Sequence, residues 1–163
     1  MQSEYFQYGL LIALAIALLI AAFTDMRRRQ IDNWLNGAIV MAAPLWWWAN
    51  GLSLWPDLAW QLGTAVVAFA VLCGLFAMRM MGGGDVKLLT ALALWVEPML
   101  FLKLLIIMAL LGGILTIVVG VYYILRRQRD RISIPYGMAI SAAGLWIIGV
   151  HYWPAAQVAS VAG

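Results

Sequence analysis

Apolar residues in this chain run in long stretches separated by short polar connections. Against a spanning length of about 20 residues, the pattern predicts six helical segments, at about 6–23, 34–48, 58–78, 86–96, 99–125 and 134–153. The fourth is the weakest, because Val86 to Trp95 covers about half the usual span and Glu97-Pro98 follows at once. It reads as a tilted, partly buried or re-entrant helix. The gap to the fifth segment is short enough for the two to form a helical hairpin. The expected architecture is a single all-α domain over residues 1–163, a polytopic membrane bundle of about six transmembrane helices.

Composition supports that class. Apolar residues make up 66% of the chain and charged residues 10%, with a mean hydropathy of +0.94, too little polar surface to clothe a soluble globule. Met1-Gln2-Ser3-Glu4 carries no Lys or Arg ahead of the first apolar run. It lacks the basic region of a cleavable signal peptide, so the first segment is expected to be retained. The single cysteine, Cys73, rules out internal disulfides and a CxxC zinc site, and reads as a small core or lipid-facing residue.

Charge then orients the segments. Arg27, Arg28 and Arg29 follow segment one, Arg79 and Lys87 flank the loop after segment three, and Arg126, Arg127, Arg129 and Arg131 follow segment five. Only Lys103, of the ten basic residues, falls elsewhere. Short cytoplasmic loops collect such charges, which predicts an N-out, C-out topology. Trp46, Trp47, Trp48, Trp55, Trp60, Trp95 and Trp153 fall at predicted outer ends, where indole rings anchor at the headgroup level. The basic clusters read as topology determinants and contacts to anionic membrane lipids.

Candidate chemistry lies on the inner face. Asp25 and Asp85 both stand at ends of apolar runs, and carboxylates at a membrane boundary face water, a partner or a reaction. Spacing leaves three uses open for them: a catalytic pair, a proton or cation pathway, or ion pairing with Arg27–Arg29 or Lys87. Gly82-Gly83-Gly84 before Asp85 favours the first, since residues without Cβ allow unusual backbone angles and close approach of an extended peptide. The order does not suit a nucleotide phosphate loop, and nothing points to nucleic acid. The lone histidine, His151, is predicted at the outer end of the last segment, away from both aspartates, and Glu97 and Asp57 also fall on the outer side. No Ser-His or Cys-His pair competes as a nucleophile.

Three blocks in order carry a family resemblance. Gly82-Gly83-Gly84-Asp85-Val86-Lys87 fits GxGDxK, and Asp25-Met26-Arg27-Arg28-Arg29-Gln30-Ile31-Asp32-Asn33 fits DxRxRxIPN. Ile134-Pro135-Tyr136-Gly137-Met138-Ala139 is similar to a late IPYGxA element. The chain resembles the type IV prepilin peptidase family, membrane aspartyl proteases of the GxGD class, and in particular the short form associated with tight-adherence (Flp-type) pili. One departure is Asp32, where the family usually has proline. It adds a carboxylate on the same face, and an unbroken helix would set it about two turns from Asp25. Longer members begin with a cysteine-bearing cytoplasmic domain and also N-methylate the new pilin terminus. This chain enters its first predicted span within about ten residues, which leaves methyl transfer an open question.

The resemblance implies cleavage of the basic leader of prepilins and pseudopilins, after a glycine, at the cytoplasmic face of the bacterial inner membrane. It implies Asp25 and Asp85 as the catalytic residues, with no metal and no organic cofactor. Gly82 and Gly84 are expected to admit the peptide. Lys87 is expected to steady Asp85 or a substrate group, and Asn33 to cap the second segment. Pro135, Tyr136 and Gly137 are expected to set the start of the last helix, with Tyr136 lining the peptide groove. The competing readings are a small proton-coupled transporter, whose site belongs nearer the membrane midplane, and a non-enzymatic assembly subunit.

Overall fold

A computed structural model describes residues 2–125 and 135–152. Among these residues there are six α-helices and no strand: α1 (Gln2–Arg28), α2 (Asn33–Ala49), α3 (Ala59–Ala77), α4 (Gly83–Ala93), α5 (Pro98–Leu125) and α6 (Tyr136–Ile147). A short wide turn, Leu54–Leu58, leads into α3, and another, Ile148–Tyr152, extends α6. The Arg126–Arg131 cluster, Ile134 and Trp153 lie outside the described residues.

Three stretches are long and apolar enough to cross a membrane: Glu4–Arg28, Leu54–Ala77 and Pro98–Leu125. Their outward faces are apolar, as at Ile16, Val66, Leu110 and Ile117, so hydrocarbon rather than water is the solvent that suits them. This is a membrane protein. The shorter helices fill the interior. α4 packs against α2, α3 and α6, while α6 packs against α1 and α5 as well, which makes α4 and α6 the inner pair.

α4 has 11 residues, or about 16 Å of rise, against a hydrocarbon core of about 30 Å. It therefore ends inside the bundle, where its last carbonyls have no water to bond. Side chains take that role. Gln61 donates to the carbonyls of Ala93 (2.9 Å) and Val96 (2.7 Å), Trp47 to Leu94 (2.7 Å) and Trp46 to Trp95 (3.0 Å). The Trp95 indole donates in turn to the carbonyl of Ile39 at 2.9 Å. Trp46 stacks on Trp95 and meets Tyr152 edge-on, both at 5.6 Å between centroids.

This corrects the reading of the tryptophans as interfacial anchors. Trp46 and Trp95 are buried, at 6% and 4% exposure; the N–H of Trp46 closes the end of α4, and that of Trp95 ties the same end to Ile39 in the middle of α2. Trp48, Trp55 and Trp60 are exposed, as an interfacial anchor requires.

Candidate active site

The opposite end of the bundle holds a polar cavity of about 390 Å³. Its wall comprises Asp25, Arg29–Asn33 and Gly82–Asp85. Each side reaches it by a helix terminus. α1 runs through Asp25 and stops at Arg28, because Arg29 turns into the left-handed region at φ 53°. Its N–H still bonds the Asp25 carbonyl at 2.8 Å. The chain then passes through Ile31 and Asp32 into α2. This break settles the relation of the two acids: Asp25 belongs to α1, and Asp32 stands just ahead of α2.

The other side differs from the loop the sequence suggested. Gly83 and Gly84 form the first turn of α4, and Gly82 caps it in an ordinary extended conformation, φ −75° and ψ 146°. The glycines supply room rather than unusual backbone angles. A Cβ on Gly84 would lie 3.3 Å from Ile31 Cβ, and one on Gly82 would lie 3.0 Å from Asp85 Oδ2. Gly137, in the first turn of α6, fits more tightly than either. A Cβ there would come within 2.8 Å of Asp25 Oδ2 and 2.9 Å of Ile31 Cδ1. Ile31 thus sits between the starts of α4 and α6, and holds the Asp85 helix and the Gly137 helix at the end of α1. Ile31 belongs to the first matched block, yet sequence reasoning assigned it no role; an apolar residue between acids was the available signal.

Both carboxylates are buried, Asp25 at 6% and Asp85 at 8% exposure. Asp25 Oδ2 is enclosed and has no hydrogen-bond partner. The amides of Gly137 and Met138 face this carboxyl closely enough to act on its charge, but without the alignment of a bond to Oδ2. Asp85 lies at the outermost turn of α4, outside the three long spans. Burial pushes its carboxyl up to about 6, the charge of Asp25 adds to the rise, and the Gly82 amide opposes it. The two acids are therefore close enough to sense each other's charge.

Several supporting residues stand elsewhere than expected. Lys87 is engaged by another residue than Asp85: its ammonium donates to Asn33 Oδ1 at 2.7 Å. Asn33 is consequently engaged by Lys87 rather than capping α2; the capping position is Asp32, which makes no side-chain cap bond. Tyr136 does not line the cavity. Its ring lies over Gly112 of α5, and its hydroxyl is 3.3 Å from Thr116 Oγ1. Pro135 does precede the first residue of α6. His151 lies in the turn beyond the far end of α6, and Glu97 and Tyr152 line a separate cavity of about 210 Å³ there. Among the described residues no three His, Cys, Asp or Glu side chains converge as metal ligands.

Residues 12–121 match the type IV leader peptidase family. The chain belongs to the type IV leader peptidase family. It is accordingly a membrane protease of the leader peptidase type, and the match contains both cavity-forming segments with Asp25 and Asp85. No curated protein and no solved structure matches this leader peptidase.

Proposed function

We propose that this leader peptidase is an aspartic endopeptidase in which Asp25 and Asp85 form the catalytic pair. The observation that carries the reading is their meeting on one cavity from two helix termini far apart in the chain. Two buried carboxylates at close range do not both ionise readily, so the pair holds one shared proton. The ionised member takes a proton from water as the water oxygen attacks the scissile carbonyl carbon. The protonated member donates to the carbonyl oxygen. Collapse of the tetrahedral intermediate breaks the C–N bond, and a proton passes to the leaving amine. Water, two carboxyls and a peptide complete the balance.

The substrates in this reading are Flp-type prepilins and pseudopilins, cut after a glycine of a basic leader. The protein lies multi-pass in the bacterial inner membrane, N-out and C-out, with the cavity on the cytoplasmic side and with membrane lipids around its outer helices. Arg27–Arg29, Arg79 and Lys87 at the cavity end support that orientation. Gly137 and Gly84 let the helices close around Asp25 and Ile31, and Gly82 leaves Asp85 its place. Family membership favours this reading over the transporter and the assembly subunit, as does a site at one end of the bundle rather than at mid-depth.

Cleavage of a full-length prepilin in detergent or nanodiscs tests it, comparing the native chain with Asp25→Asn, Asp32→Asn and Asp85→Asn at matched expression. Asp25→Asn and Asp85→Asn are expected to lose at least about 1,000-fold in rate, each removing a group that the mechanism uses twice. Asp32→Asn is expected to keep kcat. Retained cleavage in either of the first two would overturn the assignment. A pH profile gives a second check. Asp85 carries its proton below about 6 and gives it up above, leaving two charges and nothing to donate. The rate is expected to decline as pH rises past that value, and a rate still climbing at pH 8 would exclude Asp85 as proton carrier.

A further inference from the structure

Hydrolysis needs two carboxylates, and this cavity wall carries three. Asp32 stands on it beside Asp25 and Asp85, half-buried on the connection between α1 and α2. Its side chain makes no cap bond to α2, and among the described residues no hydrogen bond or ion pair engages that carboxylate. Lys87 is held by Asn33 and is not on the wall. The one cation on the wall is Arg29. With one proton shared between Asp25 and Asp85, the dyad carries a single negative charge. Asp32 adds a second and Arg29 offsets one, which leaves the wall negative.

Two observations direct that surplus toward a ligand. Asp32 borders a polar cavity of about 390 Å³ with its carboxylate unengaged, so the cavity offers an acceptor to a donor group from outside the chain. The acids do not converge as a metal site. They are spread along an open wall, the arrangement suited to an extended chain with charge at one position rather than to a compact ion.

We infer that Asp32 is a specificity residue, the subsite that receives a lysine or arginine side chain of the bound peptide. This deepens the peptidase reading and rests on it. Asp32 is partly withdrawn from water, which strengthens attraction relative to a fully solvated pair. It also follows Ile31 directly, so a cation held there is anchored to the residue that spaces α4 from α6.

The test is steady-state cleavage by the full chain in nanodiscs, using a prepilin with a cationic leader and the same protein with every leader Lys and Arg changed to Gln. Asp32→Asn is expected to raise KM about tenfold for the cationic leader at unchanged kcat, and to move KM of the neutral leader less than about twofold. Asp32→Glu should restore most of the loss. Asp32→Lys should invert the preference in favour of a leader carrying Glu in place of its basic residues. Added salt should raise KM of the native enzyme and not that of Asp32→Asn.

An equal change of KM on both leaders, or a loss of kcat on both, would overturn the inference and place Asp32 in the fold or in the chemistry. Failure of the native chain to cut either protein would instead remove the peptidase reading, and this subsite with it.

Discussion

Helices α4 and α5 are both apolar, yet they live in different solvents. In α4 the buried residues are Asp85, Val86, Leu88, Leu89, Ala91, Leu92 and Ala93 of 11; in α5 they are Phe101, Leu104 and Gly112 of 28. Hydrophobicity does not separate the two, because lipid tails receive Ile and Leu as readily as a protein interior does. Length and termini separate them. α5 is long enough to satisfy its own backbone across the bilayer, and its side chains need no protein partner. α4 is too short, so both of its ends must be met by other helices: Ile31 and Asp25 at the start, Gln61, Trp46 and Trp47 at the finish. Burial in this protein follows unsatisfied backbone and charge more than it follows apolar content.

Matched substitutions test that contrast. The largest effect is expected from glycine. Gly84→Leu on α4 would push Ile31 and displace Asp85, with cleavage falling about 100-fold or more. Gly113→Leu on α5, where a Cβ meets nothing within 4 Å, should leave cleavage within about twofold. Equal losses would mean that α5 also shapes the site.

Next comes packing. Leu89 is fully buried, and Leu89→Ala is expected to cost about 2–3 kcal/mol in reversible unfolding in detergent. That is the lower part of the usual leucine range, since lipid rather than water is the reference for the removed methyls. Gln61→Leu should cost about 1–3 kcal/mol by stranding two carbonyls at the end of α4, and its cleavage should fall with stability if that end sets the position of Asp85. Smallest is Ile117→Ala on α5, at 67% exposure, expected to change stability by about 0.5 kcal/mol or less. A loss there as large as at Leu89 would show that a partner helix covers α5.

Much of this arrangement was readable beforehand, and the failures have physical causes. The segments at 34–48, 58–78 and 99–125 fall within one or two residues of α2, α3 and α5, because a span demands an uninterrupted apolar run. α1 continues past the apolar run to Arg28, and α4 begins at Gly83 rather than Val86. A helix takes in glycine and charged residues that an apolar window leaves out. The pairing of Asp25 with Asp85 was legible from the two matched blocks. The separation of Asp25 from Asp32 was not, since it turns on Arg29 adopting a left-handed conformation that arginine seldom signals. Trp46 and Trp95 misled for a related reason. Membrane interface and a buried backbone carbonyl both ask for a large ring with one N–H to spare, so the residue type does not tell them apart.

The clamping of α4 at both ends also limits how this chain can change over generations. One residue added between Asp85 and Ala93 would rotate the acid by about 100° and shift it by about 1.5 Å relative to the Gln61 and tryptophan contacts. Such an insertion would turn Asp85 off the wall it shares with Asp25. Side chains along α4 can be exchanged one at a time, but its residue count cannot drift. Length variation belongs instead to connections such as Asn50–Ser53, where Gly51 turns at φ 63° and a side chain added there would meet nothing within 4 Å.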